Sequence, residues 1–346
     1  QGAEEIGGRS ATMAAMHFPA FRSLVLSLIA AAPVLAQQVD MRTTAKKGAT
    51  VWLLQEQLQT QAFEVMGQEI ESTQTIRRAL HVTVDDVDAE GNLIVSTKLV
   101  RVHGMITNPN MGDLEFDSAK PFEEPEDDPT GGMLTTMLKT MTAGAGKSFV
   151  AKVDPFGHVV QLVDTKAMAA EGDVPAIEDG VMKMMVEGAF GRRSDKPIAP
   201  GESWTHEETD RGGRLPVVMK AKVVLAKADA AAFELTSTGT IEKLPPADKA
   251  EGEGDEQDPA KEMLRSMKLS NGKANGTLKL SREDGFLLEA KLETSMDAEM
   301  SMGGMSVPMA IKQVTTTKRI TEAEAMPKKA EAPKAAETPK PAETGK

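Results

Sequence analysis

Five methionines, Met296, Met300, Met302, Met305 and Met309, fall within fourteen residues. Thioether sulfur is soft, and clustered methionines can hold Cu(I). Strand parity gives the same residues a second reading. Met296, Ala298, Met300 and Met302 share one side of a strand, and Met305, Val307, Met309 and Ile311 share one side of the next, across Gly303-Gly304. Asp297, Glu299 and Ser301 take the opposite side. The result is an amphipathic hairpin with a methionine-lined apolar face. That face reads first as core or as the lining for an apolar ligand, with copper as the alternative.

The other motifs argue against catalysis. Gly144-Ala-Gly-Lys147-Ser148 imitates a phosphate loop, but the full pattern needs glycine where Met141 stands and a helix after the serine. A strand pattern follows instead. Asp86-x-Asp88-x-Glu90-Gly91 imitates half a calcium loop, yet its twelfth position is Thr97 rather than a bidentate glutamate. A polar hairpin turn is the simpler reading. His81, His103, His158 and His206 are scattered, with no pair at helical spacing, and read as ordinary strand and turn residues. No Gly-x-Ser-x-Gly elbow occurs. The paired carboxylates all sit in loops. Neither a catalytic residue nor a cofactor nor a metal is expected.

Composition narrows the class. The 346 residues carry 40 Lys+Arg against 52 Asp+Glu, a net charge of −12, with no Cys, no Tyr, 22 Met, 10 Phe and 2 Trp. Without cysteine there is no disulfide scaffold, iron–sulfur centre, thiolate zinc site or thiol enzyme. The acidic balance opposes nucleic-acid binding through phosphates.

Residues 16–36 carry a short basic stretch (His17, Arg22), an apolar run from Leu24 to Leu35, and small residues at Val34 and Ala36. That pattern predicts a cleaved export signal rather than a membrane span, with residues 1–15 as upstream translation. The expected location is periplasmic or extracellular, and no cysteine follows to take a lipid. Residues 322–346, rich in Pro, Ala, Lys and Glu, predict a disordered tail.

Between these ends strands dominate. Ile70 to Val84 alternates over fifteen residues, and Leu93–Val102 pairs with it across an acidic Gly-containing turn. Further hairpins are expected at Phe149–Val153 with Val159–Val163, Val217–Leu225 with Phe233–Ile241, Thr277–Leu280 with Phe286–Leu292, and Met296–Met302 with Met305–Thr317. Helical stripes are predicted at Met133, Leu134, Met137, Leu138 and Met141, stopping at Gly144, and at Ile177, Val181, Met184 and Met185. A third helix is expected to start at Asp258-Pro259 and run toward Met267. Asp113–Pro129 and Pro245–Asp258 read as exposed loops. Gly191–Gly201 is the best internal boundary, giving β-rich units at 37–195 and 196–321. Both have a glycine shortly before a tryptophan (Gly48…Trp52, Gly201…Trp204), suggesting a two-unit pseudo-repeat.

Two stretches carry a resemblance. Gly146-Lys-Ser-Phe-Val-Ala-Lys-Val-Asp-Pro-Phe-Gly157-His-Val-Val and Lys196-Pro-Ile-Ala-Pro-Gly-Glu-Ser-Trp204-Thr are similar to an exported family of bacterial envelope proteins known as a domain of unknown function. The resemblance spans roughly 45–320 and implies a β-rich, secreted protein. It brings no catalytic residues. By fold-level analogy alone, curved antiparallel sheets closed by helices occur in periplasmic lipoprotein carriers.

The expected protein is therefore α+β, dominated by antiparallel sheet with a few short helices. Its expected function is a non-enzymatic envelope protein that binds a lipid-like ligand or a protein partner, with a structural scaffold or Cu(I) handling as alternatives.

Overall fold

Alternating apolar and polar residues, rich in β-branched types, fold most of this chain as strands. The computed structural model describes residues 38–65, 67–109, 112–121, 132–170, 176–210, 217–244, 267–302 and 305–326. The expected leader, the helix expected from Asp258, the Gly303-Gly304 turn and the tail beyond Met326 lie outside the described residues.

The first half contains β1 (Thr50–Val65), β2 (Gln68–Val87), β3 (Leu93–Asn108), β4 (Gly112–Asp117), α1 (Met133–Thr142), β5 (Ser148–Val153), β6 (Val159–Asp164) and α2 (Asp179–Phe190). The second contains β7 (Ser203–Asp210), β8 (Val217–Ala228), β9 (Ala232–Lys243), β10 (Lys268–Ser281), β11 (Leu287–Met302), β12 (Met305–Ile320) and a last turn of helix, α3 (Glu322–Ala325). All strands join one sheet of twelve in the order β6-β5-β3-β2-β1-β12-β11-β10-β9-β8-β7, with β4 paired to β3. Every pairing is antiparallel.

The chain meanders outward from β1 to β6, crosses by way of α2, and meanders back from β7 to β12, beside β1. Each half runs through the sheet in the same sense. The sheet curls, because its two outermost strands come together at one end. There Arg193 N–H donates to the Phe156 carbonyl at 3.0 Å, and the rings of His158 and His206 lie 5.9 Å apart. The crossing segment Gly191–Gly201 is packed into this junction, with Arg193, Ser194, Ile198 and Ala199 buried.

One face of the sheet forms the core at the same end. A first cluster gathers Leu53, Leu80, Val95, Phe149, Val186 and Phe190, and a second gathers Met41, Ile198, Leu225, Phe233, Leu280 and Leu287.

Several local expectations shift. In α2 the buried residues are Met182, Met185, Val186, Ala189 and Phe190, while Met184 is 47% exposed. The helix starts only at Asp179, so Ile177 precedes it and Met182 sets the inward face. Gly144 does not end α1 in a left-handed conformation: the helix stops at Thr142 with Ala143 right-handed, and the left-handed glycine is Gly146, at φ 80°, in the turn before β5. Gly144 is glycine for space, since a Cβ there would sit 2.2 Å from Ile177 Cδ1. The start of the expected loop at Asp113 is instead β4, paired to β3 beyond the reach of β5 and anchored by buried Phe116. The first residues of the expected tail form α3. Thr321 and Glu324 make a reciprocal capping box, and Ala325 is buried.

Candidate functional site

The register identifies the side chains on the core-forming face far beyond the core itself. From Leu53 the pairing of β1 with β2 and β12 runs without a shift to Phe63. Odd-numbered β1 residues therefore stay on the core side throughout: Gln55, Gln57, Gln59, Gln61 and Phe63. Their partners on that side are Arg78, Ile76, Gln74, Ser72 and Ile70 of β2 and Thr317, Thr315, Gln313, Ile311 and Met309 of β12. Continuing into β11, Met296 faces Ile311, Ala298 faces Met309, Met300 faces Val307 and Met302 faces Met305.

Met296, Met300 and Met309 thus share the core-side face of one hairpin, near the end of the sheet away from the core. Met296, Met300 and Met309 are half-buried and belong to neither core cluster, while the smaller Ala298 and Val307 beneath them are buried. Between the methionines and the core lies a band of uncharged polar side chains, the glutamines of β1 and the threonines of β12. Sequence patterning missed this band because glutamine at alternate positions is not an apolar repeat. The signal that was present is the spacing Gln55, Gln57, Gln59, Gln61 itself.

Charges are scarce here. Across β1, β2, β11 and β12 the charged side chains on this face are Arg78 and Arg319. Arg319 is neutralised near the core by a bidentate pair with Asp284, at 2.7 and 2.8 Å. Among the described residues Arg78 meets only amides, its Nη1 donating to Gln55 Oε1 at 3.5 Å and Gln57 Oε1 at 3.3 Å. Burial pushes the Arg78 guanidinium below its ordinary range.

Two clefts lie elsewhere. The first, about 300 Å3, is at the junction of the sheet's outer strands, lined by Phe156, His158, Arg193, Trp204 and His206. Glu187 of α2 organises its rim. It accepts from Val159 N–H of the edge strand β6 at 3.0 Å and from Arg192 Nη2 at 2.6 Å. Arg192 also reaches Glu208 of β7 at 3.1 Å and contacts His206. A charged staple therefore links the two outer strands. The hydrogen bond from His206 holds Glu208 below the usual carboxylate range, and burial pushes His158 down.

The second cleft, about 410 Å3, lies between β4 and α1 and includes Phe116, Asp117, Leu138 and Thr142. Asp117 pairs bidentately with Arg101 at 2.9 and 2.6 Å, which holds its carboxyl down at about 2. A carboxylate so depressed stabilises the fold above its unfolded pKa near 4, and that contribution is lost as pH falls toward 2. Asp117→Asn is expected to cost about 2 kcal/mol at neutral pH, the gap from wild type closing between about pH 4 and 2. Urea titrations at several pH values check this, and a gap that persists at pH 2 would refute the ion-pair origin.

The remaining sequence candidates have structural partners. Asp88 accepts from the backbone of Glu90 and Asn92 and from the side chain of Asn92, and pairs with Lys152 at 2.8 Å. It is a hairpin-turn residue. Trp52 stacks on His81 at 4.2 Å on the opposite face of the sheet. Ser148 opens β5, so a strand follows the glycine-rich stretch as expected. Among the described residues no group of three His, Cys, Asp or Glu could hold a metal ion, and no helix is long and apolar enough to cross a membrane.

Fold and face define a mainly antiparallel β protein with an amphipathic, half-open surface continuing from its core. Residues 175–287 match the model of DUF6263, a family of unknown function. That span takes in Lys196–Thr205, the second of the two stretches that carried the resemblance. Among curated proteins none matches. Solved structures show distant likenesses. Lipovitellin, described for its lipid–protein interactions, is 9% identical with a TM-score of 0.42, covering 80% of this chain and 25% of its own. The chain thus spans about a quarter of the lipovitellin chain. An outer-membrane channel from Pseudomonas putida F1 is 7% identical at TM-score 0.24, covering 82% of this chain and all of its own. DynF from the dynemicin pathway of Micromonospora chersina is 8% identical at 0.22, covering 85% and 90%.

Proposed function

We propose that this protein is an exported, non-enzymatic binder of an apolar, lipid-like ligand, held along the core-side face of β1, β2, β11 and β12. The observation that supports the reading is the continuation of that face beyond the core. Phe63, Ile70, Met296, Met300, Met309 and Ile311 lie on it half-buried, outside both core clusters. Apolar area left at an interior-like face gains about 25 cal/mol per Å2 when a ligand covers it. Methionine suits that role because its flexible, polarisable side chain adapts to ligand shape. The glutamine and threonine band carries no net charge and supplies hydrogen bonds without demanding a counter-ion.

Protein purified from its native host without detergent is expected to release a lipid-like molecule into organic extract, read by mass spectrometry. The emptied protein is expected to take up a naphthylamine dye. Met296→Glu combined with Met300→Glu and Met309→Glu is expected to weaken dye binding at least about tenfold, since three carboxylates would have to be covered. A clean extract together with no dye uptake would sink the reading.

The Cu(I) alternative keeps one supporting observation, the register that places Met302 opposite Met305, two pairs beyond Met300. Replacing Met300, Met302 and Met305 with leucine separates the two readings. Leucine preserves apolar binding and removes soft-metal affinity.

A further inference from the structure

We propose that Arg78 anchors the anionic oxygen headgroup of an amphiphile whose hydrocarbon chain runs from there toward the methionines. The inference rests on the ligand-binding reading above and specifies the chemical class of the ligand.

Position comes first. Arg78 stands on β2 opposite Gln55 of β1 and Val102 of β3, immediately past Leu80, which faces Leu53 in the core. It therefore sits at the margin of the core, with the core residues Ile76 and Val102 on its β2 and β3 sides and, on its β1 side, the glutamines where the core gives way. From Gln55 to Phe63 the strand rises about 26 Å at 3.3 Å per residue, enough for a long acyl chain.

Charge comes second. The other arginines near this face have a carboxylate at hand: Arg319 pairs with Asp284, and Arg193, held by three neutral backbone carbonyls, still feels the charge of Asp284. Arg101 and Arg192, elsewhere in the sheet, have Asp117 and Glu187. Among the described residues Arg78 has no carboxylate. Its partners are two neutral amide oxygens at 3.5 and 3.3 Å, long for hydrogen bonds. Burial without a counter-ion disfavours a cation strongly, which is the sense of its lowered pKa. In a chain of net charge −12 this cation has no ion-pair partner among the described residues. An incoming carboxylate or phosphate would supply the missing charge.

Hydrogen bonding comes third. Gln55 is 5% exposed and turns its oxygen to Arg78, so its amide N–H groups, which bond no described group, remain to donate beside the guanidinium. Gln57 uses its amide on Gln313 at 3.4 Å, and Gln74 uses its amide on the Met141 sulfur at 3.6 Å, fixing the surround. A guanidinium with a neighbouring amide donor fits an oxyanion.

Three ligands with one chain and different heads test this: hexadecanoate, hexadecyl phosphate and hexadecanol, titrated against delipidated protein by dye displacement. Wild type is expected to bind at least one of the anions tenfold or more tighter than the alcohol. Arg78→Gln is expected to abolish that preference and leave alcohol binding unchanged, while Arg78→Lys retains part of it. Preference for hexadecanoate points to a fatty-acid-like head, and preference for the phosphate to a phospholipid-like one; either supports the anchor. Equal binding of alcohol and anions by wild type, or a preference that survives Arg78→Gln, overturns the anchor and leaves the carrier reading standing. No binding of any of the three overturns the carrier reading itself. The melting temperature of Arg78→Gln is expected to match or exceed that of wild type, because an uncompensated buried charge is removed. A lower melting temperature would mark Arg78 as structural and also count against the anchor.

Discussion

Arg193→Met is expected to lower the stability of the fold by about 3–5 kcal/mol. Arg193 is 2% exposed and sits in the crossing between the two halves. Its Nη1 donates to the Met41 carbonyl at 3.3 Å, and its Nη2 to the Phe190 carbonyl at 3.1 Å and to the Gly285 carbonyl. Those acceptors come from three places: the segment before β1, the last turn of α2 and the β10–β11 turn. The Phe190 carbonyl is one that a helix end leaves without an internal partner.

Burial pushes the guanidinium down to about 10, so it remains charged at neutral pH. Its Nε lacks a partner, so the site is already not fully satisfied. Methionine would fill the volume and strand three carbonyls, each worth about 1–3 kcal/mol when unmet. Arg193→Lys keeps the charge but cannot span three acceptors, and about half the loss is expected. Urea denaturation at neutral pH reads both variants; a Met variant within 1 kcal/mol of wild type would show that water replaces the guanidinium.

Phe286→Ala is expected to cost about 3–5 kcal/mol, by lost burial and by the cavity it leaves. Phe286 is 0% exposed and packs on Phe190 with ring centroids 5.1 Å apart. It precedes β11, yet it belongs to the cluster whose other members all lie between Ala45 and Phe190. The residue thus carries the second half of the chain into the core of the first. A single cooperative transition, shifted to lower urea with unchanged slope, is the expected result. Two transitions, with only one of them displaced, would show that the halves unfold independently and that this contact does not couple them.

The strands with apolar alternation were legible in the sequence. Ile70 to Val84 became part of β2, and the hairpins at Phe149–Val163, Val217–Ile241 and Met296–Thr317 all formed, because alternate burial has a period that residue type reports directly. β1 was harder. Its core-side positions beyond Leu53 are glutamines, and glutamine looks alike on a solvated face and on the floor of a binding surface. β4 hid among acids, since only Leu114 and Phe116 mark it. In α2 the choice of Met182 over Met184 depended on where the helix begins, a matter of one residue that shifts a side chain by about 100°.

By itself the sequence determined the dominance of antiparallel hairpins, the absence of cysteine chemistry and the amphipathic parity of the methionine hairpin, because each depends on neighbours within a few residues. Only the tertiary structure decided that β1 and β12 meet at the centre of the sheet and that its outer strands close on one another through Glu187 and Arg192. It alone brought Arg78 to the edge of the core with amides for company. These are pairings between residues far apart in the chain. Antiparallel strands give every long-range partner the same backbone hydrogen bonds, so local pattern cannot choose among them; packing of the whole face does.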